Sequence, residues 1–211
     1  MEFTPGIHLI NKPRGRSSFS VVAQVRRLSG IKKVGHAGTL DPEAEGLLIV
    51  LVGKEFTKRS DEFLKLPKTY EFTLKLGETS ATGDEEGEKT PVSAKQPTKP
   101  VIAAVLAAFT GEIHQIPPQY SAIKIDGVRA YKRARRGEDV NIEPRKITIS
   151  RLELLDYSYP NLQLIADVSS GTYIRSLGED IGNALKTGAY CSAIKRTKIG
   201  GYTLDDAIVL K

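Results

Sequence analysis

The chain of 211 residues has one cysteine, Cys191, and three histidines, His8, His36 and His114, spread far apart. A single thiol excludes an internal disulfide, and no His or Cys stands at the short spacing a zinc site needs, so no metal is expected. Cys191 reads instead as a small buried hydrophobe. Dinucleotide-binding motifs are missing as well. The chain does not open with a basic region followed by a long apolar stretch, and no apolar run approaches the length of a bilayer span. A soluble, cytoplasmic protein without a membrane partner is the expectation. Acids are the minority charge: 25 Asp and Glu against 31 Lys and Arg leave a formal net charge of +6. That sign favours a polyanionic partner, because neutralised phosphates release counterions and this term dominates non-specific nucleic-acid affinity.

What is present centres on residues 35–46, Gly35-His36-Ala37-Gly38-Thr39-Leu40-Asp41-Pro42-Glu43-Ala44-Glu45-Gly46. Its closely spaced glycines permit positive φ or a close backbone approach, and the apolar run Leu47 to Val52 that follows reads as a strand covered on both faces. Local chemistry leaves Asp41 open between two roles. With Pro42 behind it and Glu43 and Glu45 in what would be a first turn, it suits a helix N-cap; at the entry to a buried strand it suits catalysis.

Elsewhere, Gly6 to Ile10 reads as a strand. A helix follows, capped by Ser17 or Ser18, with an apolar stripe of Phe19, Val22, Val25 and Leu28 and a stop at Gly30. Residues 1–33 hold seven Lys or Arg against one acid. Residues 69–76 alternate as a strand headed by Tyr70, either a core tyrosine or a plate for a base. The acidic turn Gly83 to Glu88 is expected to be solvated. A helix is expected from Val101 to Phe109, then a Pro-rich entry to a strand, a turn at Asp126-Gly127 and a basic helix through Arg136. Between Lys124 and Arg151 lie nine Lys or Arg and four acids, a mix that fits either a solvated face or a surface tracking an RNA backbone. Leu162, Leu164, Ala166 and Val168 mark another strand. The helix after it carries Ile174, Leu177, Ile181 and Leu185 inward, with Thr172 as its cap. Arg175 then sits in the first turn, where a cation opposes the helix dipole: an exposed, slightly unfavourable residue or a functional one.

Five stretches together resemble the bacterial tRNA pseudouridine synthase B (TruB) family, in order and over nearly the whole chain. They are GIHLINKPRGRSS, GHAGTLDPEAEGLL, Lys68-Thr69-Tyr70, PPQYSAIKIDGVRAYKRAR, and GTYIRSLGEDIG with the segment from Gly188 to Arg196. The resemblance implies an α+β fold, the pseudouridine synthase fold, with a central mixed, mostly antiparallel sheet flanked by helices and RNA-binding loops. It implies one catalytic domain over residues 1–211, with an RNA-gripping insertion at about 115–140 and without the C-terminal RNA-binding (PUA) module common in the family. Asp41 becomes the catalytic carboxylate, Arg175 its partner and Tyr70 the active-site tyrosine. His36, Tyr173 and Ile194 become contacts to the flipped nucleotide. Lys12 and Pro13 become a brace of the site wall, and Arg133, Arg135 and Arg136 contacts to RNA. The implied reaction turns uridine into pseudouridine in the T-arm loop of tRNA, needing no cofactor, metal or protein partner and acting as a monomer. Two rivals share features with this reading, a non-catalytic RNA-folding protein and a guide-RNA-dependent synthase. Glu43 and Glu45 depart from the family, which usually has Leu and Thr there, and add negative charge beside Asp41.

Overall fold

The computed structural model describes residues 3–121, 123–125, 127–130, 133, 136, 138 and 142–210. In chain order the elements are β1 (Gly6–Lys12), α1 (Ser18–Ser29), β2 (Val34–Ala37), β3 (Glu45–Val52), α2 (Lys54–Thr57), α3 (Ser60–Leu64) and β4 (Lys68–Leu76). There follow β5 (Glu78–Ser80), β6 (Lys89–Pro91), α4 (Lys99–Phe109), β7 (Gly111–Gln115), β8 (Lys124–Ile125) and β9 (Val128–Arg129). The last are β10 (Arg145–Ser158), β11 (Asn161–Val168), α5 (Ile174–Ala184), β12 (Ala189–Ile199), β13 (Tyr202–Thr203) and β14 (Ile208–Val209). The chain forms two compact units, one of residues 1–71 with 193–211 and one of residues 72–192, and β4 and β12 each begin in one and end in the other.

In the first unit β3 is the central strand. β1 runs antiparallel to it with Ile10 opposite Leu48, β2 antiparallel with His36 opposite Val50, and β12 parallel with Arg196 opposite Gly46. Every residue of β3 from Gly46 to Val52 is buried, as its unbroken apolar run requires of a strand covered on both faces. Leu48, Val50 and Val52 join Phe3, Ile10 and the valines of α1 on one side; Leu47, Ile49 and Leu51 meet Phe63 and Ile199 on the other. α1 is capped as its sequence suggests: the Ser17 hydroxyl accepts from Ser20 N–H, and Gly30 closes the helix at φ 68°. Its buried face, however, is Ser18, Val21, Val22 and Val25, while Phe19 is 68% exposed and Leu28 46%. The expected stripe is thus rotated, because a buried serine that finds hydrogen-bond partners displaces a phenylalanine from the core-facing position.

The second unit packs α4 and α5 with antiparallel β10, β11 and β7. The alternation of β11 places Leu162, Leu164, Ala166 and Val168 in the core. α5 buries Ile174, Leu177 and Ile181, and Leu185 at its C-cap is buried too. A Cβ at Gly178 would stand 2.7 Å from Leu74 Cδ2 and 2.9 Å from Cys191 Sγ, so this helix depends on glycine to lie close against its neighbours. Thr172 is not its cap: Tyr173 holds that position without a side-chain bond, and the Thr172 hydroxyl donates to Ser169 O at 3.0 Å. Residues 145–151, read in the sequence only as part of a basic surface, form the long strand β10 together with residues 152–158.

Candidate active site

In the first unit, residues 38–44 connect β2 to β3 and carry Asp41. Gly38 has φ 94° and Gly46 φ 104°, conformations that penalise any side chain. Between them Ala44 N–H donates to Asp41 O at 3.1 Å, closing a β-turn with Asp41 first and Pro42 second, the residue types that turn prefers. No helix follows, so Asp41 is not an N-cap: the chain passes from the turn into β3, where Gly46 pairs with Lys12 of β1.

Three side chains and one backbone amide hold this turn and its flanks. The Ser18 hydroxyl donates to Leu40 O at 2.9 Å and accepts from Leu40 N–H at 2.8 Å. Lys12, fully buried, sends its ammonium to Pro13 O (3.0 Å), Arg16 O (2.6 Å) and Pro42 O (3.2 Å), and Gly15 N–H also donates to Pro42 O at 2.8 Å. Burial lowers the Lys12 pKa to about 8, against the attraction of Asp41, Glu43 and Glu45. Arg196, 1% exposed, donates through Nε to Leu47 O at 2.8 Å and through Nη2 to Gly38 O at 3.0 Å. Glu43 turns to the Arg14 guanidinium at 2.7 Å, a partly exposed pair, which answers part of the charge that distinguishes this turn.

His36 sits on β2 with a buried Nδ1 that has no hydrogen-bond partner, and burial together with the Arg196 cation pushes its pKa below the usual histidine value. The ring is therefore neutral at neutral pH. Tyr70 on β4 and Ile194 on β12 are both buried in this unit's part of the chain.

The second unit carries Arg175 and Tyr173 at the start of α5. Arg175 is buried, not exposed: Nη1 donates to Thr82 O at 2.7 Å and Nη2 to Tyr120 O at 2.9 Å, with Asp84 Oδ2 at 3.6 Å. The expectation of a solvated acidic turn at residues 83–88 holds for Glu85, Glu86 and Glu88, which are exposed, and fails for Asp84. Asp84 is 7% exposed, accepts from the Thr82 hydroxyl and from Glu86 N–H, and faces the arginine. A buried cation needs a nearby anion, and the acid of the turn supplies it. Glu179, one turn along α5, is pushed up by burial and drawn back by Arg175. Tyr173 is fixed through its backbone, its N–H donating to Gln115 Oε1 at 2.8 Å and its carbonyl accepting from Gln115 Nε2 at 3.1 Å. Arg133 and Arg136 both approach Glu138, at 3.9 and 3.8 Å. Arg135 lies outside the described residues.

A model of the TruB family pseudouridylate synthase N-terminal domain matches residues 26–174. The chain belongs to the TruB family. Its relatives include the tRNA pseudouridine synthase B of Arthrobacter sp. (strain FB24), 45% identical over 98% of this chain and 69% of that protein. The tRNA pseudouridine synthase B of Chlamydia trachomatis serovar L2 is 41% identical over 98% of this chain and 86% of that protein. Among solved structures, a chain of a Cbf5-Nop10-Gar1 complex superposes with a TM-score of 0.77 at 29% identity, over 98% of this chain and 52% of that one. This TruB-family chain therefore spans about half the length of that solved chain. A solved pseudouridylate synthase shares the fold at a TM-score of 0.50 and 20% identity.

Within this family member, sequence reasoning missed Ser18, Asp84 and Arg196. Two of them carry a readable sign, a polar side chain at a position where the element's own period points inward: Ser18 beside Val21, Val22 and Val25, and Arg196 two residues after Ile194. Among the described residues no group of three or more His, Cys, Asp and Glu could hold a metal ion, and no helix is long and apolar enough to cross a membrane.

Proposed function

We propose that this chain converts uridine to pseudouridine at position 55, in the T-arm loop of tRNA, acting as a cytoplasmic monomer without guide RNA or protein partner. The carrying observation is Asp41 on a turn whose flanking residues are held by buried side chains, in a chain of the TruB family. The base must leave its stack to be reached. Tyr70 then stacks on it, Ile194 keeps water away, and His36, neutral, contacts the flipped nucleotide or fills the space it left. Tyr173 contacts the nucleotide as well. The Asp41 carboxylate acts on sugar or base while the C1′–N1 bond breaks, the uracil turns, and a C1′–C5 bond forms. The proton on C5 leaves to solvent and the freed N1 takes one up, so atoms and charge balance without any redox partner. Arg175 supplies the positive charge that the carboxylate chemistry calls for, and Asp84 offsets the cost of burying that guanidinium. The basic arm of residues 1–33 and Arg133, Arg135 and Arg136 hold phosphates.

The test is tritium release from 5-tritiated uridine in a bare tRNA transcript. The parent is expected to release tritium with neither guide RNA nor added protein, and Asp41→Asn to release none while still binding the transcript. Absence of turnover by the parent until a guide RNA is supplied favours the guide-dependent reading. Turnover by Asp41→Asn, with deamidation excluded by mass spectrometry, removes the catalytic assignment.

A further inference from the structure

We propose that Ser18 and Arg196 are positioning residues for the reaction, seating the Asp41 turn from two sides so that its carboxylate stands at a fixed place. The inference rests on the catalytic reading of Asp41. Ser18 does not cap its own helix, a role taken by Ser17. It occupies an inward position on α1 at 2% exposure, where an unbonded hydroxyl is costly. Its donor and acceptor both go to one residue 22 positions away, Leu40, immediately before Asp41.

Arg196 is stranger on grounds of stability alone. A fully buried guanidinium is usually paired with a carboxylate, yet among the described residues this one forms no ion pair, and its hydrogen bonds go to two backbone carbonyls. Neutral donors could satisfy two carbonyls without the cost of burying a charge. The two carbonyls belong to Gly38 and Leu47, on either side of the Asp41 turn, so one planar group fixes the separation of the loop's ends. The backbone at the same place is equally committed: a Cβ on Gly46 would collide with the Arg196 carbonyl oxygen, and one on Gly38 would stand 3.5 Å from its Nη1. With Pro42 O already held by Lys12 and Gly15, both neighbours of Asp41 in sequence are fixed, and the loop ends with them.

Three variants distinguish the outcomes in steady-state assays on the transcript, with Leu40 amide hydrogen exchange as a readout independent of turnover. Ser18→Ala removes one oxygen. Arg196→Lys keeps the charge but loses the fork that spans two carbonyls. Asp41→Asn reports on the parent reading. If the seating is real, Ser18→Ala and Arg196→Lys lower kcat by about tenfold or more with KM within about twofold of the parent, and the Leu40 amide exchanges faster in Ser18→Ala. Parent-like kcat in Ser18→Ala and Arg196→Lys with an inactive Asp41→Asn overturns the positioning role and leaves the catalytic reading standing. An active Asp41→Asn instead overturns the reading on which the role rests. A loss carried by KM, or one that tracks partial unfolding at the assay temperature, also overturns it. Should Arg196→Lys fail to fold, kcat and Leu40 exchange in Ser18→Ala suffice to uphold or overturn the role.

Discussion

The two units present their key side chains by opposite means. In the first, buried side chains grip backbone: Ser18, Lys12 and Arg196 bind the carbonyls and amide of the residues around Asp41. In the second, backbone grips a side chain: the carbonyls of Thr82 and Tyr120, together with the Asp84 carboxylate, bind the Arg175 guanidinium. The difference follows from side-chain length. A short carboxylate is aimed by its main chain, so the main chain must be fixed. A long flexible arginine is aimed by its far end, so the far end must be fixed, and fixing it also limits the rotamer entropy lost when it acts.

The largest expected effect tests the second arrangement. Asp84→Asn keeps an acceptor for Thr82 and Glu86 but leaves Arg175 buried with less compensation, and urea unfolding should show a loss of about 3 kcal/mol, with activity falling in parallel. Unchanged stability would mean that the two carbonyls suffice and that the contrast between the units is overdrawn. Next comes Tyr70. Tyr70→Ala should lose roughly 1–3 kcal/mol of tRNA binding and Tyr70→Phe almost none, because stacking uses the ring alone; parent-like binding by both returns Tyr70 to the core.

The first unit also uses buried lysines as grips, and alkaline titration sharpens the comparison. Lys12 and Lys68 both have folded pKa values lowered by burial from 10.5 to about 8, the latter with its ammonium on Leu64 O and Leu66 O. Between these pH values the unfolded chain binds more protons than the folded one, so stability rises as pH increases through that window, by up to about 1.4 kcal/mol per pH unit for each lysine. Lys68→Met should halve that slope in thermal melts across pH 8 to 10.5; an equal slope in parent and variant removes Lys68 from the account. The smallest effect concerns the basic cluster. Replacing Arg133, Arg135 and Arg136 together by Ala should flatten the dependence of log affinity on log salt by up to about three phosphate contacts' worth, and less if Glu138 already neutralises part of them.

What the sequence discloses and what it hides divides along the same physical line. Burial patterns within one element are local, so β3, β11 and the α5 stripe can be read directly, as can the Ser17 and Gly30 caps of α1. Polar contacts between distant segments are not local. Phe19 reads as inward because no hydrophobicity pattern foresees that Ser18 finds Leu40. Asp41-Pro42 suits a helix start and a turn equally well, and only strand pairing at Gly46 chooses the turn. The turn of residues 83–88 is acidic enough to look solvated throughout, and the burial of Asp84 alone among its acids goes with Arg175, some 90 residues later. For the site, family resemblance names the aspartate, tyrosine and arginine and the Lys12 brace, while the partners that Ser18 and Arg196 hold become visible only in three dimensions.

The reach of Arg196 also sets an order of events during synthesis. Its bonds to Leu47 and Gly38 span 149 and 158 residues of chain. At ribosomal speeds of about 5–20 residues per second, the aspartate leaves the peptidyl-transfer centre on the order of ten seconds or more before the guanidinium that closes its loop has been polymerised. During that interval the nascent chain can form β1, α1 and the β2–β3 pair and engage Ser18 with Leu40, yet the Gly38 and Leu47 carbonyls still lack the group that ties them to each other. In a TruB-family chain built this way, the elements around the Asp41 loop can form well before the loop is tied, because the tie comes from a strand made some 150 residues after it.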